Sequence, residues 1–127
     1  MTKTSLHESA AGHGGEQAHG LLIALDRYAA TFDLMLTAWR DRSIYESVRE
    51  AFDELAASQK AQAPEAGLAM LELAMAHNDV AAALMDRQLA QQQGTGESFN
   101  AGALALRQKQ HAAAVNELRS YILRKIH

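Results

Sequence analysis

The sequence lacks cysteine, contains a single proline, and has few β-branched or aromatic residues among its 127 positions. Without cysteine the chain has no disulfide, no thiol nucleophile and no zinc–thiolate site. The three phenylalanines, three tyrosines and one tryptophan never alternate with polar residues over the length of a strand. The absence of cysteine suits a reducing compartment, and we expect a cytoplasmic location.

The sequence also lacks a strong excess of charge of either sign. Twelve Lys and Arg residues stand against fifteen Asp and Glu residues, so the formal net charge is -3 with the histidines neutral. A nucleic-acid-binding domain normally carries a basic stripe, and we therefore expect no nucleic-acid partner. No uninterrupted apolar run approaches the roughly 20 residues of a membrane span, so we expect no membrane partner either.

The abundant residues, among them alanine, leucine, glutamine, glutamate and arginine, are those that favour helix. Four amphipathic segments carry apolar residues at spacings of three and four. They predict an all-α fold, a four-helix up-down-up-down bundle that forms one domain over residues 19–127. The predicted helices lie near residues 19–40, 43–60, 65–93 and 99–125.

The first 18 residues differ in composition from the rest of the chain. Glycine, serine and small polar residues dominate, and Leu6 is the one large aliphatic residue between Thr2 and Ala18. Such a segment buries too little apolar surface to offset the entropy lost on ordering. We therefore predict a disordered N-terminal tail over residues 1–18.

Residues 65–93 form the segment against which the other helices are expected to pack. Pro64 precedes it and Gly94 follows it, which is the order in which these residues bracket helices. Large apolar residues fall on two stripes of this segment, which predicts neighbours on two sides. One stripe comprises Leu68, Leu71, Met75, Met85 and Leu89, and the other comprises Met70, Leu73, Val80 and Leu84.

Local signals also predict how the second helix begins. Asp41 and Arg42 interrupt the apolar pattern between the first two segments. Ser43 and Glu46 have the spacing of a capping box, in which each side chain bonds the backbone N–H at the other position. The second helix is therefore predicted to begin at Ser43.

An alternative architecture rests on the middle of the third segment. Residues 78–90, NDVAAALMDRQLA, resemble the turn and second helix of a tetratricopeptide-type repeat, with Ala83 and Ala90 seven residues apart. The resemblance implies tetratricopeptide-like helical hairpins, with the third segment broken at Asn78–Asp79. The tryptophan and glycine of the repeat's first helix have no counterpart in this sequence.

Histidines are the residues most able to carry chemistry here. His77 and His111 lie on predicted helices, each near an apolar line, and we interpret both as half-buried structural residues. A metal site in a bundle requires Glu-x-x-His pairs that face inward, whereas Glu72 precedes His77 by five residues and lies on another face. A metal-binding helical bundle is kept as an alternative, with no metal ligand and no cofactor assigned.

The size and helicity of the chain also resemble those of histidine phosphotransfer domains. Their acceptor histidine is typically followed three residues later by lysine, whereas His77 is followed by Val80 and His111 by Ala114. A phosphorelay module is therefore a further alternative. No nucleophile, base and orienting group can be placed together, so we predict no catalytic residues and no enzymatic activity.

The remaining prediction is function by protein contact. Size, helicity and mild acidity are comparable to those of a small bacterial adaptor or a secretion-type chaperone, which is an analogy at the level of the fold. Aromatic residues on the first helix and an apolar–basic cluster near the end of the last helix predict a surface for another protein or for a homodimer. The predicted partner-binding residues are Tyr28, Phe32, Trp39, Tyr121, Ile122, Arg124 and Ile126.

Overall fold

The computed structural model describes residues 2–94 and 101–126, with side chains described from residue 18 onward. These ranges contain four α-helices and no strand, which confirms the predicted all-α class. A short 3-10 turn, Pro64–Ala66, leads directly into the third helix. The helices are α1 (Thr2–Thr37), α2 (Arg42–Gln62), α3 (Gly67–Gln92) and α4 (Ala101–Ile126).

Side-chain pairs between helices establish the up-down-up-down order. Asp26 of α1 pairs with Arg119 of α4, whereas Phe32, later in α1, stacks on His111, earlier in α4, so these two helices run antiparallel. Arg27 of α1 lies 3.8 Å from Glu54 of α2, whereas Tyr45, near the start of α2, bonds Trp39 just past the end of α1, so α1 and α2 also run antiparallel. α1 packs against α2 and α4, α3 packs closely against α4, and the contact between α2 and α3 is much sparser. The sparse contact leaves one side of the bundle open.

The core is formed by one face of each helix, and α1 contributes the largest buried side chains. Five α1 side chains at spacings of three and four are buried, Leu21, Leu25, Tyr28, Phe32 and Met35, and Trp39, two residues past the end of α1, continues the line. They meet Val48 and Leu55 of α2 and Leu118 and Ile122 of α4, all of which are nearly inaccessible to solvent. The aromatic side chains Tyr28 and Phe32 of α1 therefore lie in the centre of the bundle, rather than on the surface predicted for a partner.

The start of α1 differs from the predicted boundary near His19. The helical backbone extends back to Thr2, and Ala18, where the described side chains begin, is buried. Residues 1–18 contain no proline that would stop the helix, although each glycine there weakens it by roughly 1 kcal/mol relative to alanine. Disorder of this segment in solution stays a prediction, which hydrogen exchange would test.

The start of α2 corrects the predicted capping box. The N-cap is Asp41, whose carboxylate accepts hydrogen bonds from the Ser43 backbone N–H at 3.0 Å and from the Ser43 hydroxyl at 2.7 Å. A charged carboxylate is a strong acceptor for the free N–H groups of a first turn. α2 therefore begins at Arg42, and Ser43 lies within its first turn rather than capping it.

α3 is a single helix without a break at Asn78–Asp79. Both side chains are exposed, so water satisfies their polar groups and the helix continues through them. The tetratricopeptide-like alternative, which requires a turn at this position, does not describe the structure. Gly94 ends this part of the chain with a φ of 72°, the left-handed conformation that glycine adopts most easily.

Candidate functional site

Three polar side chains meet inside the bundle, and we call them the Tyr28 cluster. The Tyr28 hydroxyl lies 2.8 Å from Nδ1 of His77 and 2.7 Å from Nε2 of His111. One hydroxyl carries one proton, so it donates to one imidazole and accepts from the N–H of the other. The His111 ring also stacks on Phe32, with ring centroids 3.6 Å apart and planes 8° from parallel.

Burial keeps the whole cluster uncharged at neutral pH. It lowers the pKa of His77, and it lowers the pKa of His111 to about 4, with the neighbouring His77 contributing further. Burial also raises the pKa of the Tyr28 hydroxyl. Among the described residues no buried side-chain nitrogen or oxygen lacks a hydrogen-bond partner. The cluster is therefore a satisfied polar network, which fixes three helices relative to one another.

This arrangement bears on the two histidine-based alternatives. His111 is only 5% exposed and His77 is half-buried, so neither imidazole stands free in solvent as a phosphoacceptor would. The ring nitrogens that converge are bonded to a phenol. Among the side chains that the structure describes, at residues 18–94 and 101–126, no group of three His, Cys, Asp or Glu could hold a metal ion. The described geometry therefore supports the structural interpretation of both histidines.

The sparse contact between α2 and α3 leaves a long depression, which we call the α2–α3 groove. Its central pocket has a volume of about 430 Å³, and the ring of His77 forms part of its wall. Phe52 and Met85 contribute apolar surface, while Arg49 and Asp53 contribute charge. Further pockets continue the groove toward Arg42 at one end and toward Lys60 at the other.

The face of α3 opposite the core is apolar and uncovered, and we call it the outer stripe. Five large side chains on it are between 52% and 71% exposed: Leu68, Leu71, Met75, Met85 and Leu89. These residues form one of the two stripes recognised in the sequence. The other stripe, with Met70, Leu73, Val80 and Leu84, is buried. The sequence predicted neighbours for both stripes of α3, but among the described residues only the buried stripe is covered.

Charged residues flank the outer stripe differently on its two edges. Glu72, Asp79 and Asp86 recur every seven residues along one edge, and all three are exposed. None of them has a basic side chain within 4 Å among the residues whose side chains are described. The other edge is the α2–α3 groove, whose α2 wall carries Arg42, Arg49 and Lys60.

The structure does not bring the predicted partner-binding residues together on one surface. Tyr28, Phe32, Trp39 and Ile122 are buried in the core. Tyr121 and Ile126 are half-buried, and Arg124 is exposed, with its guanidinium 5.8 Å from the centre of the Tyr121 ring. Because α1 and α4 run antiparallel, Trp39 and Tyr121 lie at opposite ends of the bundle. Binding of a partner by these seven residues stays a prediction.

Contacts between helices hold the two ends of the bundle. The Tyr45 hydroxyl donates to the Trp39 carbonyl at 2.6 Å, and Arg87 lies 4.6 Å from the centre of the indole ring. These contacts tie the α1–α2 connection to α3. At the other end, Lys125 donates to a Glu65 carboxylate oxygen at 2.7 Å, which is the main cause of the low pKa of Glu65, about 2.

Within the described residues, one helix is long and apolar enough to cross a membrane by length and composition. It is the continuous helical segment Pro64–Gln92, with a mean hydropathy of 1.2 over its most apolar window, of which 28% is buried. The expectation from uninterrupted apolar runs missed it because Glu72 and the segment 77–79 interrupt those runs, whereas an average over the window includes them. The large apolar residues of this helix that are not buried form the outer stripe.

Comparison of the chain with protein-family models, with curated proteins and with solved structures finds no match. The function is therefore inferred from the Tyr28 cluster, the α2–α3 groove and the outer stripe. Sequence reasoning identified the residues of the stripe but expected a neighbouring helix to cover them. It missed the groove, because no local pattern shows that α2 and α3 pack loosely.

Proposed function

We propose that this protein is a non-catalytic protein-interaction module that binds its partner through the outer stripe and the adjoining α2–α3 groove. The observation that carries the proposal is the exposure of five large apolar side chains in one line along α3. Monomeric soluble proteins rarely leave a contiguous apolar surface of this kind uncovered. Because each leucine or methionine is already partly buried, covering the rest of it stabilises a complex by roughly 1–2 kcal/mol before the costs of association.

The form of the surface supports a helical partner. An apolar line at spacings of three and four, beside a groove that exposes Phe52 and Met85, is suited to receive the apolar face of another helix. The other pairs of neighbouring helices pack more closely, since α1 packs against both of its neighbours and α3 packs against α4. We therefore place recognition on the α2–α3 side.

The Tyr28 cluster supports a structural rather than a catalytic role for its histidines. Its three side chains satisfy one another, and burial keeps the imidazoles neutral. A small adaptor or a secretion-type chaperone remains the protein class that we propose, on the basis of size, helicity and the exposed apolar face.

A comparison of partners retained by three forms of the protein tests the proposal. Leu71→Glu together with Met75→Glu places two charges on the outer stripe, whereas Leu34→Glu changes a side chain on α1 that is similarly exposed. We expect cell extracts of the native organism to yield partners retained by the wild type and by Leu34→Glu but lost with the stripe variant. Self-association counts as retention in this comparison.

Two results would contradict the proposed function. One is an identical set of partners for the stripe variant and the wild type, with circular dichroism showing that both are folded. The other is a phosphotransfer signal, acid-labile phosphate on the wild type that disappears with His77→Gln.

A further inference from the structure

We propose that the outer stripe is the interface of a parallel dimer, in which α3 of one chain packs against α3 of a second copy about a two-fold axis along the helices. This inference rests on the proposed function, because it requires the stripe to bind protein, and it names the partner. The interface differs from the α1–α4 surface expected from the sequence. Three observations carry it: the spacing of the stripe, the place of Asn78, and the charges on the two edges.

The stripe has the spacing of a coiled-coil interface. Asn78 and Ala82 complete it, so that its positions run 68, 71, 75, 78, 82, 85 and 89, alternating steps of three and four without exception. The mean repeat of 3.5 residues is that of a left-handed two-stranded coiled coil. At 1.5 Å per residue the line is about 32 Å long, or three heptads. A helix that faced only water would have no need of this repeat.

Asn78 favours a parallel over an antiparallel pair. It is the one polar side chain in the middle of the apolar line, and it is exposed in the single chain. In a parallel pair each Asn78 meets its own counterpart, and two amides can donate to and accept from each other. In an antiparallel pair the layers join positions 75 with 85 and 78 with 82, so the amide would face the methyl group of Ala82. A buried polar residue of this kind fixes the register of coiled coils.

The acidic edge of α3 also favours a parallel pair of helices. Positions 73, 77, 80 and 84 of α3 face the core and positions 74, 81 and 88 face the α2–α3 groove. Glu72, Asp79 and Asp86 therefore lie on the edge nearer α4. An antiparallel pair would bring this edge against itself, with carboxylates facing carboxylates.

A parallel two-fold pair instead brings the acidic edge of each chain next to the α2 wall of the other chain. Each carboxylate then meets the part of that wall that lies at the same height along the α3 axis. Arg42 lines the groove beside Met85, which is the level of Asp86. Arg49 lines it beside Asn78, which is the level of Asp79. Lys60 lines it beside Leu71, which is the level of Glu72.

Glu46 and Asp53 share the same wall, so the wall carries three cations and two anions while the opposing edge carries only anions.

The same charges argue against a lipid surface as the occupant. The carboxylates beside the stripe would repel the anionic headgroups that attract amphipathic helices to membranes. Lipid binding is therefore an outcome of the test that would overturn the dimer.

Single cysteine substitutions test both the interface and its direction, because the natural chain contains no cysteine. In a parallel pair equivalent positions face each other within disulfide reach, about 6 Å between Cα atoms. We expect Leu68→Cys and Leu89→Cys each to form a disulfide-linked dimer on mild oxidation. Leu34→Cys, an exposed position on α1, is the matched control and is expected to remain uncrosslinked.

A charge exchange tests the pairing across the interface. Asp79→Arg places like charges beside Arg49 and is expected to weaken the dimer roughly tenfold in Kd. Adding Arg49→Asp to that variant reverses both charges and is expected to restore most of the affinity. Sedimentation of the wild type is expected to give a mass of twice 13.8 kDa.

Other outcomes overturn the proposal in distinguishable ways. A disulfide that forms between Leu71→Cys and Leu89→Cys chains, but between no two identical chains, would show an antiparallel pair. A wild type that sediments as a monomer and binds vesicles of anionic lipid would assign the stripe to a membrane. A monomer whose stripe variant still loses a different protein partner would refute the dimer and leave the proposed function standing, whereas a monomer with unchanged partners would refute both.

Discussion

Tyr28 holds together two imidazoles that are 49 and 83 residues away in the sequence, and it does so with a single hydroxyl. Replacement by phenylalanine would leave one buried nitrogen acceptor and one buried N–H without a partner. Each such loss costs about 1–3 kcal/mol, so we expect Tyr28→Phe to reduce the free energy of unfolding by roughly 2–6 kcal/mol. Urea unfolding measures the change.

Tyr45→Phe is the matched control for that substitution. It removes one hydrogen bond, to the Trp39 carbonyl, near the end of the bundle, and we expect a loss of about 1 kcal/mol. Equal effects of the two substitutions would show that the Tyr28 hydroxyl does not connect both imidazoles.

The same cluster makes stability depend on pH. The pKa values of His77 and His111 are lower in the folded chain than their ordinary value of 6.5, so the unfolded chain takes up protons first as the pH falls. Their contribution is complete above pH 6.5 and is lost progressively toward pH 4. We expect the free energy of unfolding to fall by on the order of 2 kcal/mol over this range.

Urea unfolding at several pH values, with the double variant His77→Gln and His111→Gln for comparison, checks this expectation. Glutamine offers hydrogen bonds but does not titrate, so the fall between pH 6.5 and 4 should become much shallower. The pairing of Glu65 with Lys125 acts at lower pH, because the pKa of that carboxyl lies at about 2. An unchanged slope in the double variant would assign the pH dependence to other groups.

At the scale of the helices, the sequence predicted where α3 lies and which residues form its two stripes. It could not decide which stripe is buried, because both contain leucine and methionine in similar number. The alanines at positions 69, 76, 83 and 90 are half-buried or buried beside one flank of the buried stripe, and small side chains allow close approach between helices. Which stripe of α3 is buried therefore depends on how α3 packs against its neighbouring helix.

Asn78 shows why α3 has no break of the kind that the tetratricopeptide-like alternative requires. Asparagine and aspartate weaken a helix interior because their side chains compete for the backbone, by a few tenths of a kcal/mol each. The helix on both sides supplies far more through its buried residues, so it continues. The tetratricopeptide-like alternative interpreted the two residues as a turn. In the proposed dimer, Asn78 acts on pairing instead.

The Tyr28 cluster and the groove could not have been predicted by the same means. His77 and His111 were expected to be half-buried, and the structure places them so or deeper. Their meeting at one hydroxyl depends on the relative heights of three helices, which loop lengths leave undetermined. The predicted contact residues Tyr28, Phe32 and Trp39 are heavy and aromatic, and the same property suits them to the core that they form.

At the scale of the whole molecule, folding and association are linked if α3 is covered by a second copy. Binding that involves only the folded form raises its stability by mass action. A hundredfold rise in protein concentration then adds about 2.7 kcal/mol per dimer, so we expect Tm to rise by several degrees. Scanning calorimetry over such a range measures the rise. The Leu71→Glu and Met75→Glu double variant should show a Tm that does not depend on concentration, and the same independence in the wild type would contradict the linkage.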